Sequence, residues 1–523
     1  MGDLSKLKVA IGQPELVDGS PSRTAAVQDR LVSYAVEAGA DLLVFPGSLS
    51  DASDVHIIAL NDSRIDVAGS VVILEAAGES YQIGLGSQPQ GCDFAVYADV
   101  EPWAVSAPAR ASWPGIVLRP VGVRNVDKKV LAYDGGTSVF ASDGTLLARL
   151  RDDFEEDFAL VSLAERSDVA EPCKDKLLAA LVKTVRRFDE QVLSWKPKWV
   201  IGLSGGLDSS IVAALLTLAL GPDRVCGFGL STAYNSEATK RNAETLAEAL
   251  GIRLRVGSIA EVVEATELAA TQFGYGAAGG GMTDGAAGGA AGGASEPAIT
   301  GLALENVQAR VRGHLLSTFA ALEGGVVANN GNRVEAAFGY ATLYGDSIGA
   351  LAPIGDLTKT RLFELARVIN GQPGVGVIPE NLLPRETDDG YEWDVMPSAE
   401  LAEGQRDPMK WFYHDWLVEQ LLDSPSVEGG ACSVLSHYLD DRLASTEVGK
   451  WVTFYGLDDP GAFLRDFDWA LGALRSSAFK RIQAPPAIRV ASPASIASAL
   501  ESQGAHEPSV RYRELRSRIA LMA

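Results

Sequence analysis

The sequence predicts an α/β protein, and its 523 residues are enough for two to four domains. From about residue 198 onward, short apolar runs alternate with helical patterns, which is typical of a parallel sheet covered by helices on both faces. The preceding residues contain a helical pattern at 24–37, a charged helical segment that leads from about Cys173 towards Pro197, and many short strand-like runs separated by turn residues. We therefore expect a strand-rich front domain followed by a parallel-sheet domain whose ligands lie at the carboxyl ends of its strands.

The front domain is predicted from its apolar runs. A strand, a helical pattern and a second strand follow one another before residue 46. Ser142, Asp143 and Gly144 are turn residues, and they mark a hairpin between the last two predicted strands. The predicted elements are a strand at 9–11, a helix at 24–37, and strands at 42–45, 67–74, 81–85, 116–121, 131–140 and 145–149.

The second domain is predicted from the regular alternation of its elements. A Gly/Ala-rich, nearly uncharged tract at 274–298 interrupts it; this composition cannot form a core and predicts a mobile, tolerated insertion rather than a catalytic lid. A second loop is predicted at 371–397, where Pro, Gly and acidic residues are frequent. The predicted strands are 199–203, 224–230, 253–256 and 325–328, and the predicted helices are 208–220, 236–250, 260–272, 303–322 and 358–369.

Composition narrows the class of protein. The formal charge of −23 argues against a general nucleic-acid or membrane surface, because both require a basic footprint. No apolar run is long enough to cross a bilayer. The four cysteines are far apart and form no CxxC pair, so neither a zinc site nor a disulfide framework is predicted, and a reducing cytoplasm is the expected location.

The most informative segment joins the strand at 199–203 to the helix at 208–220. Its two glycines allow close approach of backbone N–H groups to an anion, and three serines add hydroxyl donors at a helix N-terminus. A carboxylate among such donors is explained if it holds a magnesium ion that bridges phosphate oxygens. No Lys follows the glycines, so the segment is not a Walker A loop; an ordinary Gly-rich turn is the alternative. The residues of this predicted phosphate-binding segment are Gly202, Leu203, Ser204, Gly205, Gly206, Leu207, Asp208, Ser209 and Ser210.

This loop resembles the pyrophosphate loop of N-type ATP pyrophosphatases, and further motifs resemble those of NAD synthetases. They are ENVQARVRGHLLSTF from Glu305, NNGNRVEAAFGYATLYGDSIG from Asn329, MPSAELAEGQRDP from Met396 and FKRIQAPP from Phe479. The layout is similar to the glutamine-dependent, two-domain form. The resemblance implies an adenine nucleotide alpha hydrolase-like (Rossmann-like) synthetase domain at 173–500, a front domain at 1–165 and a C-terminal tail at 501–523.

The resemblance also implies a reaction and its site residues. The reaction is ATP-dependent amidation of deamido-NAD to NAD through an acyl-adenylate, with release of AMP and pyrophosphate. Asp208 and Glu335 are then expected to hold Mg²⁺, and Lys359 to bind an ATP phosphate. Further implied ATP contacts are Asn330 and Ser398, and implied deamido-NAD contacts are Asn306, Arg310, Glu335, Tyr340, Ala341, Thr342, Leu343 and Lys480.

Without the resemblance, several of these residues have ordinary explanations. A single Glu at a helix start, such as Glu335, is usually a surface residue that complements the helix dipole. Arg310 and Arg312 are two apart on one helix, so they face different directions and only one can reach a ligand. A cation such as Lys359 at a helix start opposes the dipole, which predicts an anionic partner. Lys480 and Arg481 alone would indicate a solvated pair.

The chain departs from the family at two places. Asn330 replaces a Thr of the usual Thr-Thr-Gly-Asn-Lys-Ser-Glu motif, which predicts altered geometry rather than lost ATP binding. The front segment GADLLVFPGSLS resembles a nitrilase strand, but Gly47 occupies the position of the catalytic Glu, and the stretch that would bring the Lys and Cys is shortened. Without a base and a Lys, Cys92 is better explained as an ordinary thiol than as a nucleophile.

We therefore expect a reduced, glutaminase-inactive nitrilase-like front domain. Ammonia then comes from solution or from a separate ammonia-supplying protein. A homodimer or higher homo-oligomer is expected, with the helix at 303–322 suited to the interface. Two alternatives stay open: another ligase that uses this loop, such as a GMP- or asparagine-forming synthetase, or a catalytically impaired nucleotide-binding regulator.

Overall fold

The computed structural model divides the chain into two compact units. The first comprises Met1–Lys196 and Ile488–Pro493, and the second Pro197–Ala487 and Ala494–Ala523. The structure describes residues 2–17, 20–49, 51–68, 70–86, 91–103, 113–232, 234–275, 299, 301–372, 377–387, 390–397, 407–443, 445–490 and 507–523. Ser398 and nearly all of the Gly/Ala tract at 274–298 lie outside these residues.

The first unit is built mainly from short strands, with two long helices. Its elements are β1 (Val9–Gln13), β2 (Glu15–Val17), α1 (Pro21–Glu37), β3 (Leu42–Pro46), β4 (Val55–Ala59), β5 (Arg64–Ala68), β6 (Val71–Ala76), β7 (Glu79–Leu85), β8 (Phe94–Ala98), β9 (Gly115–Leu118), β10 (Val121–Val126), β11 (Lys129–Asp134), β12 (Ser138–Phe140), β13 (Leu146–Arg149), β14 (Asp157–Val161) and α2 (Lys176–Gln191).

Two sheets share the core of this unit. One has the order β14-β1-β3-β4, with β1 and β3 parallel, and the other has the order β13-β12-β9-β8-β7-β6-β5. Ile11 and Val44 of the first sheet belong to one buried cluster with Ile83 and Val96 of the second. The opposite side chains of β1 and β3 pack with Leu31 of α1. The unit therefore has a helix layer and two sheet layers, as an α/β front domain requires.

Three predicted strands are each two strands in the structure. The strand predicted at 67–74 is the antiparallel pair β5 and β6, with Val67 opposite Val72. The strand predicted at 131–140 divides into β11 and β12 at Gly135 and Gly136, both of which have positive φ. The strand predicted at 116–121 divides into β9 and β10 at residues 119–120. The hairpin predicted around Ser142-Asp-Gly is confirmed as β12 and β13.

The second unit begins with the predicted alternation of strands and helices and continues as mainly helices. The elements after residue 196 are β15 (Lys198–Gly202), α3 (Leu207–Leu220), β16 (Val225–Ser231), α4 (Glu237–Leu250), β17 (Arg253–Ser258), α5 (Ala260–Thr271), α6 (Leu302–Leu322), β18 (Gly325–Val327), α7 (Arg333–Phe338), α8 (Lys359–Asn370), β19 (Arg385–Thr387), β20 (Gly390–Glu392), α9 (Tyr413–Leu422), α10 (Val427–Leu439), α11 (Gly449–Phe454), α12 (Pro460–Ser476), α13 (Ala478–Gln483), β21 (Ala487–Arg489) and α14 (Val510–Ala520). Most of β21 belongs to the first unit, which includes Ile488–Pro493.

The predicted parallel sheet is confirmed. Its order is β17-β16-β15-β18, and all three strand pairs are parallel. Helix α3 packs on this sheet, so its residues Ile211 and Leu215 are fully buried. Helix α6 also packs on the sheet, where Phe319 stacks on Phe228 with ring centres 4.5 Å apart. The carboxyl ends of β15 and β18 therefore lie side by side, where such a fold places its ligands.

Three boundaries differ from the sequence-based expectation. Helix α2, predicted to begin the synthetase domain at 173, belongs to the first unit, where Lys176 forms ion pairs with Asp134 and Asp152. The predicted tail at 501–523 contains α14, whose Tyr512 and Ile519 are buried in the helical core of the second unit. The predicted loop at 371–397 contains the hairpin β19–β20. Among the described residues, no helix has the length and apolar character needed to span a bilayer.

Candidate active site at the carboxyl end of the parallel sheet

The loop between β15 and α3 requires glycine at one position. Gly205 has φ +79°, and a Cβ atom there would lie 1.8 Å from the carbonyl oxygen of Thr239. Gly206 is the N-cap residue of α3 and is extended. The loop therefore lies at a helix N-terminus, where backbone N–H groups can bind phosphate.

The three serines predicted as phosphate donors are engaged within the loop. Ser209 Oγ and Ser210 Oγ donate to the carbonyl oxygen of Gly206, at 3.2 and 2.8 Å. Ser204 Oγ accepts from the N–H of Gly206 at 3.2 Å and lies 3.1 Å from Ser209 Oγ. In this structure the hydroxyls stabilise the loop, and contact with an anion requires a change in hydroxyl orientation.

Asp208, in the first turn of α3, lies between a cation and an amide. Its Oδ1 is 2.6 Å from Lys359 Nζ, and its Oδ2 accepts a hydrogen bond from Asn332 Nδ2 at 2.8 Å. The lysine is 151 residues away along the chain, so the fold brings these groups together. The anionic partner that the sequence predicts for Lys359 is, in this structure, Asp208.

Glu335 lies close to the pair formed by Asp208 and Lys359. It forms a capping box at the start of α7: Asn332 Oδ1 accepts from the N–H of Glu335 at 3.1 Å, and the Glu335 carboxylate accepts from the N–H of Asn332 at 3.2 Å. Burial and the neighbouring Asp208 raise the pKa of Glu335 to about 8, while Lys359 opposes the shift and Asp407 adds to it. Two carboxylates share one cation here.

Lys359 is the first residue of α8, and its side chain is 4% exposed. Its Nζ atom lies 4.9 Å from the centre of the Trp411 ring, a cation–π distance. Burial alone disfavours the charged form, but Asp208 and Glu335 outweigh it, so the pKa of Lys359 is raised. The lysine is therefore a fixed cation at the end of the sheet.

Asn330, which replaces the Thr of the usual motif, supports the strand end. Its Nδ2 donates to the carbonyl oxygen of Gly202 at 2.8 Å. Its Oδ1 is buried and has no hydrogen-bond partner among the described residues. The substitution thus ties the residues after β18 to the last residue of β15.

The residues expected to contact deamido-NAD form a second group. Thr342 Oγ1 donates to Asn306 Oδ1 at 2.7 Å, and Arg310 Nε donates to the carbonyl oxygen of Leu343 at 3.3 Å. Lys480 Nζ donates to the carbonyl oxygens of Gly339 and Ala341, both at 2.7 Å. Tyr340 lies beside these residues, and burial together with Asp407 raises its pKa. The structure therefore brings α6, residues 339–343 and α13 together.

Two basic residues near this group have other roles. Arg312 Nε donates to the carbonyl oxygen of Leu230 at 3.1 Å, so the prediction that Arg310 and Arg312 face different directions is confirmed. Arg481 is 6% exposed and donates to the carbonyl oxygen of Ala337 at 2.7 Å. The interpretation of Lys480 and Arg481 as a solvated pair is therefore wrong, because both side chains donate hydrogen bonds to backbone carbonyl oxygens.

Sequence reasoning missed Asn332, Trp411 and Asp415. Asn332 could have been found, because Asn followed three residues later by Glu is the signature of a capping box. Trp411 and Asp415 reach the start of α8 from helix α9 and the residues before it, and no local pattern in the sequence predicts that contact.

Position 47 of the first unit carries no carboxylate. Gly47 follows β3, its N–H donates to the carbonyl oxygen of Asp54 at 2.7 Å, and a Cβ atom there would lie 2.3 Å from Asp54 Oδ1. Cys92 is half-buried, and none of the four cysteines forms a disulfide. Within the described part of the chain, no three His, Cys, Asp or Glu side chains cluster as a metal site, so Asp208 and Glu335 offer two ligands at most.

Comparisons with known proteins identify relatives of this chain. The family described as NAD synthase matches residues 180–425. The glutamine-dependent NAD(+) synthetase of Synechocystis sp. is 33% identical over 286 residues, which are 53% of this chain and 45% of that protein. The synthetase of the same description from Xanthomonas campestris pv. campestris is 32% identical over 356 residues, 64% of this chain and 58% of that protein. The chain thus spans about half the length of these curated relatives.

Solved structures share the two-domain fold. A glutamine-dependent NAD(+) synthetase from Cytophaga hutchinsonii is 14% identical with a TM-score of 0.62, covering 98% of this chain and 99% of that one. The enzyme from Acinetobacter baumannii, in complex with adenosine diphosphate, is 18% identical with a TM-score of 0.55, covering 96% of this chain and 100% of that one. At these identities the likeness concerns the fold.

Proposed function

We propose that this chain, whose residues 180–425 form an NAD synthase domain, is an ATP-dependent carbon–nitrogen ligase that amidates deamido-NAD to NAD. One observation carries the proposal: a buried Lys359–Asp208 pair, with Asn332 and Glu335 beside it, at the end of a parallel strand and next to a phosphate-type loop. Fixed charges in such a position are suited to a nucleotide phosphate.

ATP is the first substrate. The loop at 204–206 and the first turn of α3 supply N–H groups for its phosphates, and Lys359 supplies a cation. The A. baumannii synthetase, which shares this fold, was solved with adenosine diphosphate, and this supports an adenine nucleotide here. Asn330 and Ser398 complete the proposed ATP contacts.

Magnesium fits the donors at Asp208 and Glu335. Carboxylate oxygens are the ligands that Mg²⁺ prefers, with phosphate oxygens completing its shell. Burial first, and then the neighbouring carboxylate of Asp208, raise the pKa of Glu335 to about 8, and a divalent cation would favour its charged form. When bound, the ion contributes charge neutralisation at the departing pyrophosphate.

The proposed chemistry has two steps. The nicotinate carboxylate of deamido-NAD attacks the α-phosphorus of ATP; a carboxyl oxygen–phosphorus bond forms, the bond to the β-phosphate breaks, and pyrophosphate leaves. Lys359 offsets the negative charge on pyrophosphate. Ammonia then attacks the carbonyl carbon of the acyl-adenylate, AMP leaves, and one proton is lost from nitrogen. No side chain becomes covalently attached, so the protein contributes positioning and electrostatics.

Deamido-NAD is proposed to bind against the second group of residues. Arg310 and Lys480 supply positive charge, and Asn306 with residues 340–343 supplies polar atoms. Burial lowers the pKa of Lys480, and a nearby anion would favour its charged form. A dinucleotide with a pyrophosphate bridge provides that charge.

Ammonia, rather than glutamine, is the proposed nitrogen donor. The relatives are named glutamine-dependent, but position 47, where a nitrilase-type base is expected, is Gly in this chain. A nitrilase-type thiol needs a base that takes its proton, and glycine at position 47 cannot act as that base. Ammonia would come from solution or from a separate protein, and the chain is proposed to act as a homo-oligomer.

The reaction is tested by product balance. Purified chain with ATP, deamido-NAD, MgCl₂ and ammonium should release AMP, pyrophosphate and NAD in equal amounts. Xanthosine monophosphate and aspartate serve as control acceptors. AMP formed with either of them but not with deamido-NAD would indicate another ligase of this type, and ATP binding without AMP formation would indicate a regulator.

The nitrogen donor is tested separately in the same assay. With glutamine in place of ammonium, NAD formation should fall to the level without any nitrogen donor, and Cys92→Ala should leave the ammonium-dependent rate unchanged. Glutamine-dependent turnover that is lost in Cys92→Ala would overturn the proposal for the front unit while leaving the ligase intact.

A further inference from the structure

Helix α8, which begins at Lys359, has no cap from its own sequence. Thr358 is at the N-cap position, yet its side chain accepts no hydrogen bond from the helix, and its Oγ1 is buried without a hydrogen-bond partner in the described chain. The first N–H groups of a helix need an acceptor from elsewhere. An external acceptor at this point also fixes the residue that carries the buried cation.

Asp415 of α9 supplies that acceptor. Its Oδ1 accepts from the N–H of Lys359 at 3.3 Å, and its Oδ2 accepts from the N–H of Thr360 at 2.6 Å and from the Thr360 hydroxyl. Asp415 is 2% exposed, and Leu417 and Leu421 of the same helix are fully buried. A carboxylate held this firmly defines where α8 begins and also complements its dipole.

Trp411 acts on the other end of the same side chain. Its ring is 1% exposed and lies 4.9 Å from Lys359 Nζ. The backbone around it is tied down: Tyr455 Oη donates to the carbonyl oxygen of Trp411 at 3.2 Å, and the N–H of Lys410 donates to His414 Nδ1 at 2.9 Å. The aromatic ring therefore limits the positions that the ammonium group can take.

We infer that Asp415 and Trp411 are positioning residues, which hold Lys359 at the point where it meets Asp208 and the phosphates of a bound nucleoside triphosphate. Asp415 fixes the backbone of Lys359, and Trp411 fixes its ammonium group. The inference rests on the proposed function only through the role of Lys359 toward ATP. A buried cation held at both ends is pre-organised, so little reorganisation accompanies charge development on the leaving pyrophosphate.

This role predicts which kinetic constants change. A shift of Lys359 by less than one bond length weakens its contact with the departing pyrophosphate. We therefore expect the fold decrease in kcat to exceed the fold increase in the KM for ATP. The KM for deamido-NAD should stay within about twofold, since its proposed contacts come from α6, residues 339–343 and α13. A residue that only stabilised the fold would not divide the constants in this way.

The test uses two graded series in the full-length chain. Asp415→Asn keeps one carbonyl acceptor, and Asp415→Ala removes both; we expect kcat to fall about tenfold and about 100-fold, respectively. Trp411→Phe keeps an aromatic ring face, so this variant should retain most of the kcat. Trp411→Leu removes the ring face. Asp459→Asn is the matched control, because Asp459 caps α12 at 2.7 Å through Ala462 and lies in the same unit.

Coupling to Lys359 distinguishes positioning from stability. If Asp415 acts through Lys359, then Asp415→Asn should have no further effect on kcat in a Lys359→Ala background. The rise in melting temperature produced by Mg·ATP should shrink in Asp415→Asn and stay normal in Asp459→Asn. This binding readout needs no turnover, so it tests the inference even if deamido-NAD is not the substrate.

The inference is overturned by either of two results. One is an Asp415→Asn variant with normal kcat and a normal Mg·ATP shift, whose only change is a lower melting temperature like that of Asp459→Asn. The other is additive effects of Asp415→Asn and Lys359→Ala on kcat. Should Asp415→Ala fail to fold, Thr360→Val, which removes only the hydroxyl bond to Asp415, completes the series.

Discussion

The ends of β15 and β3 lead into two different kinds of turn. Both strands run parallel to a neighbour, and each is followed by a turn that contains glycine. After β15 the chain forms a phosphate-type loop beside Asp208, Lys359 and Glu335. After β3 it continues through Gly47 to β4. One strand end keeps a set of opposed charges, and the other has no carboxylate at the corresponding position.

Gly205 and Gly47, the glycines of these two turns, differ in what surrounds them. At Gly205 an added Cβ would meet the backbone oxygen of Thr239 at 1.8 Å, whereas at Gly47 it would meet the terminal oxygen of the Asp54 side chain at 2.3 Å. A backbone atom cannot move away without moving α4, but a half-exposed side chain can rotate. Glycine is therefore a structural requirement in the phosphate loop and a tolerated residue in the front unit.

The largest expected effect comes from Asp208. Asp208→Asn keeps the shape of the side chain but removes its charge, so pyrophosphate release with ATP should fall about 10²–10³-fold or more. Asp223→Asn, at the opposite end of α3 and exposed, is the control and should be active. The measurement is pyrophosphate release under saturating substrates.

The variant also tests the fold. Lys359 is 4% exposed and would lose its partner in Asp208→Ala, so a loss of stability is expected with Ala and a smaller one with Asn. Unchanged pyrophosphate release in Asp208→Asn would remove Asp208 from the proposed site and, with it, the contrast between the two strand ends.

The next effect compares the glycines directly. Gly205→Ala should lower the free energy of unfolding by about 2–4 kcal/mol, because the left-handed φ and the contact with Thr239 both oppose Ala. Gly47→Ala should change it by less than about 1 kcal/mol. Gly221 also has positive φ but no neighbour within 4 Å, so Gly221→Ala measures the backbone contribution alone. Equal losses for Gly205→Ala and Gly221→Ala would show that the Thr239 contact does not matter.

The sequence predicts the second unit better than the first, for a local reason. Strand β15 is an apolar run that ends at Gly202, Ser209 and Ser210 bond within the following loop, and Asn332 forms a capping box with Glu335 three residues later. Such signals depend on adjacent residues, so one sequence is sufficient. In the front unit, apolar runs continue through the turns, and Gly135 with Gly136 separates two strands inside one run.

The support of the site is the part that sequence could not predict. Asp415 caps a helix that begins 56 residues earlier, and it leaves the expected cap residue, Thr358, unused. Asp415 at the start of an apolar helix indicates only a complement to that helix's own dipole. The sequence shows that residue 415 is Asp, but it does not show which groups Asp415 binds. Those groups depend on how α9 packs on α8.

The smallest effect concerns the pH dependence of stability in the unit that carries the site. Burial raises the pKa of Glu419 to about 7, with Arg333 opposing the shift and Asp415 and Asp423 adding to it. A raised pKa means that the folded chain keeps a proton that the unfolded chain releases. The contribution of Glu419 is therefore most favourable below its ordinary value of 4.5 and declines as the pH rises to about 7.

Glu419→Gln removes this dependence while keeping the size of the side chain. It should raise the free energy of unfolding at about pH 8 by roughly 1–2 kcal/mol more than at about pH 5.5. The measurement is urea unfolding at the two pH values, and the transition that Mg·ATP stabilises should be the one that moves. An equal effect at both pH values would mean that Glu419 titrates normally, and that the second unit does not bury an acid as strongly as its packing indicates.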